Sequence, residues 1–291
     1  MALSDGEDLR VFYRPDKKSL PHEIDRVVTG LNTGNTTVNF MIQKKIPENT
    51  MDGSSYALVF GGRNDGKAKG NPKNVFAFFE DFSNSTLEDW KQVWGEWLVK
   101  NGMVFGKTGK SPFGGAEVGL FLKNGIDWRN VEVELDLMET GRDVVYPGPF
   151  LRVLDPSPQQ TTGWWFEYWT DHKECSMRPF INNENSGSKY ACTIPQTFVK
   201  NKWFHFKYRV LGNHVMQWAD KTLILNTTVN RDWMIPKGTI GLGCHSVYSK
   251  SPYGCKTFYD NIKVRFHFRI IYLPDKKTYT YGHSTYYKNV I

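Results

Sequence analysis

The chain has 291 residues, 40% hydrophobic, 15% aromatic and 23% charged, which excludes a disordered chain and leaves material for one large domain or two smaller ones. The formal charge is +7, yet the basic residues are scattered and the clearest pairs are Lys17-Lys18, Lys44-Lys45 and Lys276-Lys277. Nucleic-acid binding, which calls for a basic stripe or a known motif, is therefore not expected.

Residues 1–9 are polar and acidic and do not read as a signal peptide. Short strands are expected at 9–13, 37–43 and 56–60, each bounded by Gly, Pro, Asn or Asp. A polar Gly-rich loop, 61–74, and an aromatic run, 75–82, follow. From there the pattern is strand after strand: 90–99, 103–107, 118–122, 131–138, 150–154, 163–170, 203–210, 214–219, 221–225, 239–244 and 257–266. The span 131–138 alternates strictly, with Val131, Val133, Leu135 and Leu137 on one face and Glu132, Glu134 and Asp136 on the other. Phe204, Phe206 and Tyr208 alternate likewise with His205, Lys207 and Arg209, so cross-strand ion pairs to the acidic face of 131–138 are expected. Gly212-Asn213 and Asp220-Lys221 are natural hairpin turns. No helical periodicity is visible and no apolar run approaches the ~18 residues of a membrane span, so membrane insertion is not expected. The pattern predicts an all-β sandwich. Residues 267–291 form a Tyr-rich tail.

Four cysteines are present, and none lies in a C-x-x-C pair. Local disulfides between Cys175 and Cys192 and between Cys244 and Cys255, or buried thiols, are both open readings.

Several stretches carry a resemblance. Phe79-Glu80-Asp81-Phe82, Leu87, Trp90, Trp97 and Asn101-Gly102 resemble the opening of concanavalin-A-like (laminin-G-like) jelly-roll domains. The span 127–136 is similar to their next long strand, and Phe258-Tyr259-Asp260-Asn261-Ile262-Lys263-Val264-Arg265 to their closing strand. Asp8-Leu9-Arg10-Val11, Leu20-Pro21, Asp25-Arg26, Tyr56 to Gly62 and Asn74-Val75-Phe76 resemble an uncharacterised domain that precedes such jelly rolls in prokaryotic surface proteins and phage tail proteins. The resemblance implies an N-terminal β domain at 1–78, a jelly-roll sandwich at 79–266 and the tail at 267–291. It also implies a virion-surface, extracellular or cell-surface setting, and self-association or other subunits as partners.

Two site constellations stand out. Glu134, Asp136 and Glu139 spell E-x-D-x-x-E, which resembles the catalytic strand of a jelly-roll glycoside hydrolase clan; a bulge would be needed to bring Glu139 onto the face of the other two. On 163–170, Trp164, Phe166 and Tyr168 lie on one face and Trp165, Glu167, Trp169 and Asp171 on the other. Both faces cannot be core in a two-layer sandwich, so Trp165, Glu167, Trp169 and Asp171 are candidates for a glycan platform, in which sugar C–H faces stack on indole. No cofactor is expected apart from a structural calcium at Asp81 and Asp260, since jelly rolls often hold Ca²⁺ through loop carboxylates. The expected function is non-enzymatic surface binding or assembly with a glycan ligand; the alternative is a glycoside hydrolase using Glu134, Asp136 and Glu139.

Overall fold

A computed structural model describes residues 6–31, 33, 36–47, 50, 52–61, 66–107, 116–141, 145–158, 160–182, 184–185, 189–246 and 256–266. The strands, in chain order, are β1 Arg10–Tyr13, β2 His22–Ile24, β3 Arg26–Thr29, β4 Thr37–Phe40, β5 Tyr56–Val59, β6 Phe78–Glu80, β7 Trp90–Trp94, β8 Glu96–Lys100, β9 Met103–Lys107, β10 Ala116–Leu122 and β11 Val131–Glu139. They continue with β12 Val145–Leu154, β13 Thr162–Tyr168, β14 Glu174–Ile181, β15 Glu184–Asn185, β16 Tyr190–Thr193, β17 Phe204–Leu211, β18 His214–Ala219, β19 Thr222–Thr228, β20 Thr239–Ser246 and β21 Lys256–Phe266. Helix among the described residues is confined to two 3₁₀ turns, Pro72–Asn74 and Arg231–Trp233.

Contacts divide the described residues into two compact units, one of those up to Phe79 with Val264 to Phe266 and one of those from Glu80 to Lys263. In the first, β2-β1-β5 form a three-stranded sheet and β3-β4 a ribbon, with Leu9, Val11, Tyr13, Ile24, Val38 and Phe40 as their small core. Carboxylates tie down the Gly-rich loop of this unit. Asp8 accepts from Gly61 N at 3.0 Å, Glu7 from Ala68 N at 2.5 Å, Glu23 from Lys69 N at 2.9 Å and Asp25 from Asn71 N at 2.7 Å.

The sandwich carries two sheets. Sheet one runs β15-β14-β13-β12-β20-β10-β7, with β16 also on β14. Sheet two runs β19-β18-β17-β11-β21-β9-β8, with β6 also on β21. The described residues therefore form the all-β sandwich that the strand pattern predicts, with the concanavalin-A-like jelly-roll fold that the resemblance implies. Val133, Leu135, Leu137, Phe206, Tyr208, Trp164, Phe166 and Tyr168 are sealed between the sheets. Tyr168 stacks on Phe206 and Phe166 meets Tyr208 edge-on, which fixes the inward faces of β13 and β17.

The chain departs from the expected strands where backbone chemistry intervenes. Residues 90–99 are not one strand: Gly95, at φ 72°, breaks them into β7 in sheet one and β8 in sheet two. β12 starts at Val145, before Pro147-Gly148-Pro149, because it pairs with β20 from Val145 opposite Ser246 onward, and the Gly148 N–H is taken up by the Tyr259 hydroxyl at 3.0 Å. Arg152, at φ 56°, forms a bulge, and the pairing with β20 shifts register between Phe150 and Val153. Its buried guanidinium donates to Ile235 O (2.6 Å), Gly212 O (3.1 Å) and Arg129 O and lies over the Trp164 ring. Burial, aided by the nearby Arg129 charge, pushes its pKa down to about 10.

Of the cysteines, Cys175 and Cys192 form a disulfide between β14 and β16. Cys244 is a buried thiol on β20, and its expected partner Cys255 lies outside the described residues, as does the Tyr-rich tail.

Candidate ligand-binding face

Because Trp164, Phe166 and Tyr168 point inward, Trp165 and Glu167 point out of the sandwich on sheet one. Cross-strand pairing carries that outer face over the sheet. Trp165 stands opposite Phe150 on β12 and Arg178 on β14, Phe150 and Phe121 each stand opposite Gly241 on β20, and Trp94 stands opposite Gly119 on β10. The result is one layer of Trp94, Phe121, Phe150, Val153, Trp165 and Phe180, flanked by Val93 and Tyr146. All of these residues belong to sheet one.

Glycines explain how large rings fit there. A Cβ on Gly119 would fall inside the Trp94 ring, one on Gly241 inside the Phe121 ring, and one on Gly243 within 2.5 Å of Phe150 Cε2. The rings lie on bare backbone and meet one another. Trp165 stacks on Phe150 (5.6 Å between centroids, 11° between planes), and Trp94 meets Phe121 and Phe180 edge-on at 5.5 and 6.2 Å. His245 closes one side, edge-on to Trp165 and stacked on Tyr146. Trp94, Val118, Phe150, Trp165, Phe180, Cys244 and His245 line a pocket of about 250 Å³, open solvent included. The indole N–H groups of Trp165 and Trp169 are buried and make no hydrogen bond among the described residues.

The expected platform is partly assembled here. Trp165 is in the layer, and Trp169, half-buried, contacts Tyr146 at its border under the ammonium of Lys189, 4.6 Å from the ring centroid. Glu167 differs from expectation. It is buried, accepts from Ser176 Oγ at 2.5 Å and is ion-paired with Arg178, so its oxygens are held by protein. Asp171 lies past the strand in a turn at φ 64° and is exposed. Trp94, Phe121, Phe150, Phe180, Tyr146 and His245 escaped the sequence reading; Gly119, Gly241 and Gly243 inside strand patterns were the available signal.

The E-x-D-x-x-E strand is corrected. β11 pairs with β17 in unbroken register from Val131 to Leu137, with no bulge. Glu139 therefore keeps the inward parity of Leu137 while Glu134 and Asp136 face outward, and the three carboxylates do not converge. Glu139 is fully buried and accepts from Thr257 Oγ1 (2.6 Å), Lys256 N (3.4 Å) and Gly141 N. Burial outweighs these bonds and pushes its pKa up to about 7. Glu132 binds Arg209 through Nε (2.8 Å) and Nη2 (2.5 Å), Asp136 binds His205 Nδ1 at 2.8 Å, and Glu134 stands opposite Lys207. These are the cross-strand pairs the alternation predicts. Burial alone would raise the Asp136 pKa, but the bonds to His205 and Asn261 outweigh it and hold it below the usual value.

Asp81 and Asp260, the calcium candidates, are near neighbours. Burial first, then the Asp136 and Asp81 charges, raise the Asp260 pKa. Asp260 accepts from Asn261 N at 2.7 Å and Asp81 from Ser83 N at 3.1 Å. Among the described residues no group of three metal-ligating side chains converges.

Fold and face together define a jelly roll with an aromatic outer sheet. Residues 78–265 match the family described as 3-keto-alpha-glucoside-1,2-lyase-like domain, and the chain belongs to that family. Among solved structures, a protein of unknown function with galectin-like fold from Bacillus subtilis aligns at TM-score 0.50 and 11% identity, over 66% of this chain and 96% of that one. The carbohydrate binding module CBM66 from Bacillus subtilis aligns at 0.47 and 16%, over 62% and 97%, and a Bacillus licheniformis beta-glucanase at 0.46 and 11%, over 66% and 98%. The galectin-like likeness is one of fold. No curated protein matches the chain.

Proposed function

We propose that the outer aromatic face of sheet one binds a neutral saccharide, and that the protein serves as a binding module at a surface, without turning its ligand over. The observation that carries this reading is the contiguous layer of Trp94, Phe121, Phe150, Trp165 and Phe180, each buried to 8% exposure or less, beside a small pocket that Trp165 and His245 help to line. Pyranose rings present C–H faces that pack on aromatic rings, and an aromatic surface with polar groups at its rim suits such a ligand. The Trp165 N–H, buried and without an acceptor among the described residues, is a donor that a sugar oxygen reaching it would satisfy. The Cys175–Cys192 disulfide supports use in an oxidising setting, such as a cell surface, a virion surface or the extracellular space.

The test is a tryptophan-fluorescence titration with neutral oligosaccharides, guided by a glycan array. Binding is expected, with Trp165→Ala weakening it about tenfold or more, the worth of one stacked ring. An array without signal, or affinity untouched by Trp165→Ala, would overturn the reading.

A second reading is favoured by the family match. Elimination across C1–C2 of a 3-keto-glucoside removes the C2 proton, acidified by the adjacent ketone, and expels the C1 substituent. His245 lines the pocket beside the Cys244 thiol and would be the base. Release of a 3-keto-glucoside aglycone that His245→Gln abolishes would favour this reading; no release by the wild type would remove it.

A further inference from the structure

The Cys175–Cys192 disulfide joins residues that face each other directly in the β14–β16 ladder, with Cα atoms 4.9 Å apart. β16 is four residues long and pairs only with β14 among the described residues. Its first residue, Tyr190, pairs with Met177, accepts from Asn230 N at 2.8 Å and packs edge-on against Trp233. Asn230 and Trp233 follow β19, the edge strand of sheet two. β16 is thus a strap from the edge of one sheet to the edge of the other, and the disulfide fastens it. Lys189, immediately before the strap, is the residue that covers Trp169.

Behind the disulfide lies a fully buried polar group. Gln217 Nε2 donates to the Tyr168 hydroxyl at 2.5 Å, and the Tyr168 and Tyr208 hydroxyls share a hydrogen bond. Gln217 Oε1 lies 4.0 Å from Cys192 Sγ. A disulfide sulfur has no hydrogen to give, whereas a thiol has one. Reduction therefore supplies a buried amide oxygen with a donor that the oxidised state withholds. A buried acceptor left without a donor costs free energy, so this contact favours the dithiol form. Both cysteines are buried, and Cys192, at 8% exposed against 3% for Cys175, is the less covered of the two, so attack is drawn at its sulfur.

We propose that Cys175–Cys192 is a redox switch that releases the β16 strap. A thiolate of an external dithiol attacks Cys192 Sγ, the S–S bond breaks, and Cys175 leaves as a thiolate and takes up a proton. The reagent's second thiolate then attacks its own sulfur in the mixed disulfide, freeing Cys192 as a thiolate that is protonated. The reagent ends as a cyclic disulfide, and two electrons and two protons have passed to the protein. The strap, left with its short ladder and the Tyr190 contacts, detaches, and Lys189 withdraws from Trp169. Its consequence for sugar affinity rests on the proposed ligand face; the release of the strap does not.

Hydrogen–deuterium exchange of the full chain, before and after dithiothreitol, tests the switch, with alkylation and mass spectrometry confirming reduction at both positions. Exchange at Tyr190–Thr193 is expected to rise about tenfold or more while β11 and β17 stay protected. Unchanged protection of the strap in fully reduced protein would overturn the proposal. In thiol–disulfide equilibration against the same dithiol, Gln217→Leu is expected to shift the balance about tenfold toward the disulfide. No shift in a folded variant would overturn the role of Gln217, and if the variant does not fold, the wild-type exchange result decides. Oligosaccharide titration of both redox states separates the two proposals. An affinity that changes on reduction supports both, and an absence of binding in either state counts against the ligand face alone.

Discussion

The Tyr259 hydroxyl donates to the carbonyl of Gly243 at 2.5 Å, crossing from the closing strand of sheet two to the backbone of sheet one. The same oxygen accepts from Gly148 N at 3.0 Å. It pins the two central strands that lie beneath the aromatic layer, and burial raises its pKa well above the usual tyrosine value.

Tyr259→Phe keeps the ring and removes the pin. Three buried backbone groups, Gly243 O, Gly148 N and Gly243 N, lose the hydroxyl, and the expected loss of stability is about 1–3 kcal/mol. Urea unfolding followed by tryptophan fluorescence measures it; an unchanged midpoint would show that water replaces the hydroxyl.

Gly241→Ala puts a methyl group where the Phe121 ring lies. Overpacking of this kind costs about 1–3 kcal/mol, and here it must also lift the ring from the sheet. Loss of oligosaccharide binding alongside a retained β-sheet circular dichroism spectrum is the expected pair of results.

Glu139 makes stability depend on pH. Its folded pKa of about 7 stands above the usual 4.5, so between those values the folded state holds a proton that the unfolded chain has released. The contribution is complete below pH 4.5 and is lost as pH rises through 7, about 3 kcal/mol in all. Glu139→Gln keeps the neutral shape and should flatten that part of the profile. Wild-type and variant stability curves that run parallel from pH 4.5 to 7 would contradict the buried-acid account.

Arg152→Met removes the guanidinium that ties Ile235 O, Gly212 O and Arg129 O together at the bulge. Three carbonyls lose a charged donor, and destabilisation of about 3 kcal/mol or more is expected. Differential scanning calorimetry would register it as a lowered transition temperature, and a transition at the wild-type temperature would argue that other donors fill the gap.

The fold was legible wherever a strand had one wet face. Val131 to Leu137 and Phe204 to Arg209 alternate cleanly, and their pairing follows residue by residue. β14 was not seen, because Arg178 and Pro179 interrupt its apolar pattern, and the first half of β12 was hidden by Pro147 and Pro149. The candidate face was legible only at Trp165 and Trp169. Trp94, Phe121, Phe150 and Phe180 come from four other strands, and strand order, which no local periodicity encodes, brings them side by side. Glu167 looked available to a ligand because its partners, Ser176 and Arg178, sit on the strand that was not seen.

In β13, odd-numbered and even-numbered positions answer to different demands: Trp164, Phe166 and Tyr168 hold the sandwich shut while Trp165 faces away from it. Trp94, Phe150, Trp165 and Phe180 form a second buried cluster on the far side of sheet one, so a change there disturbs side-chain packing without opening the space between the two sheets.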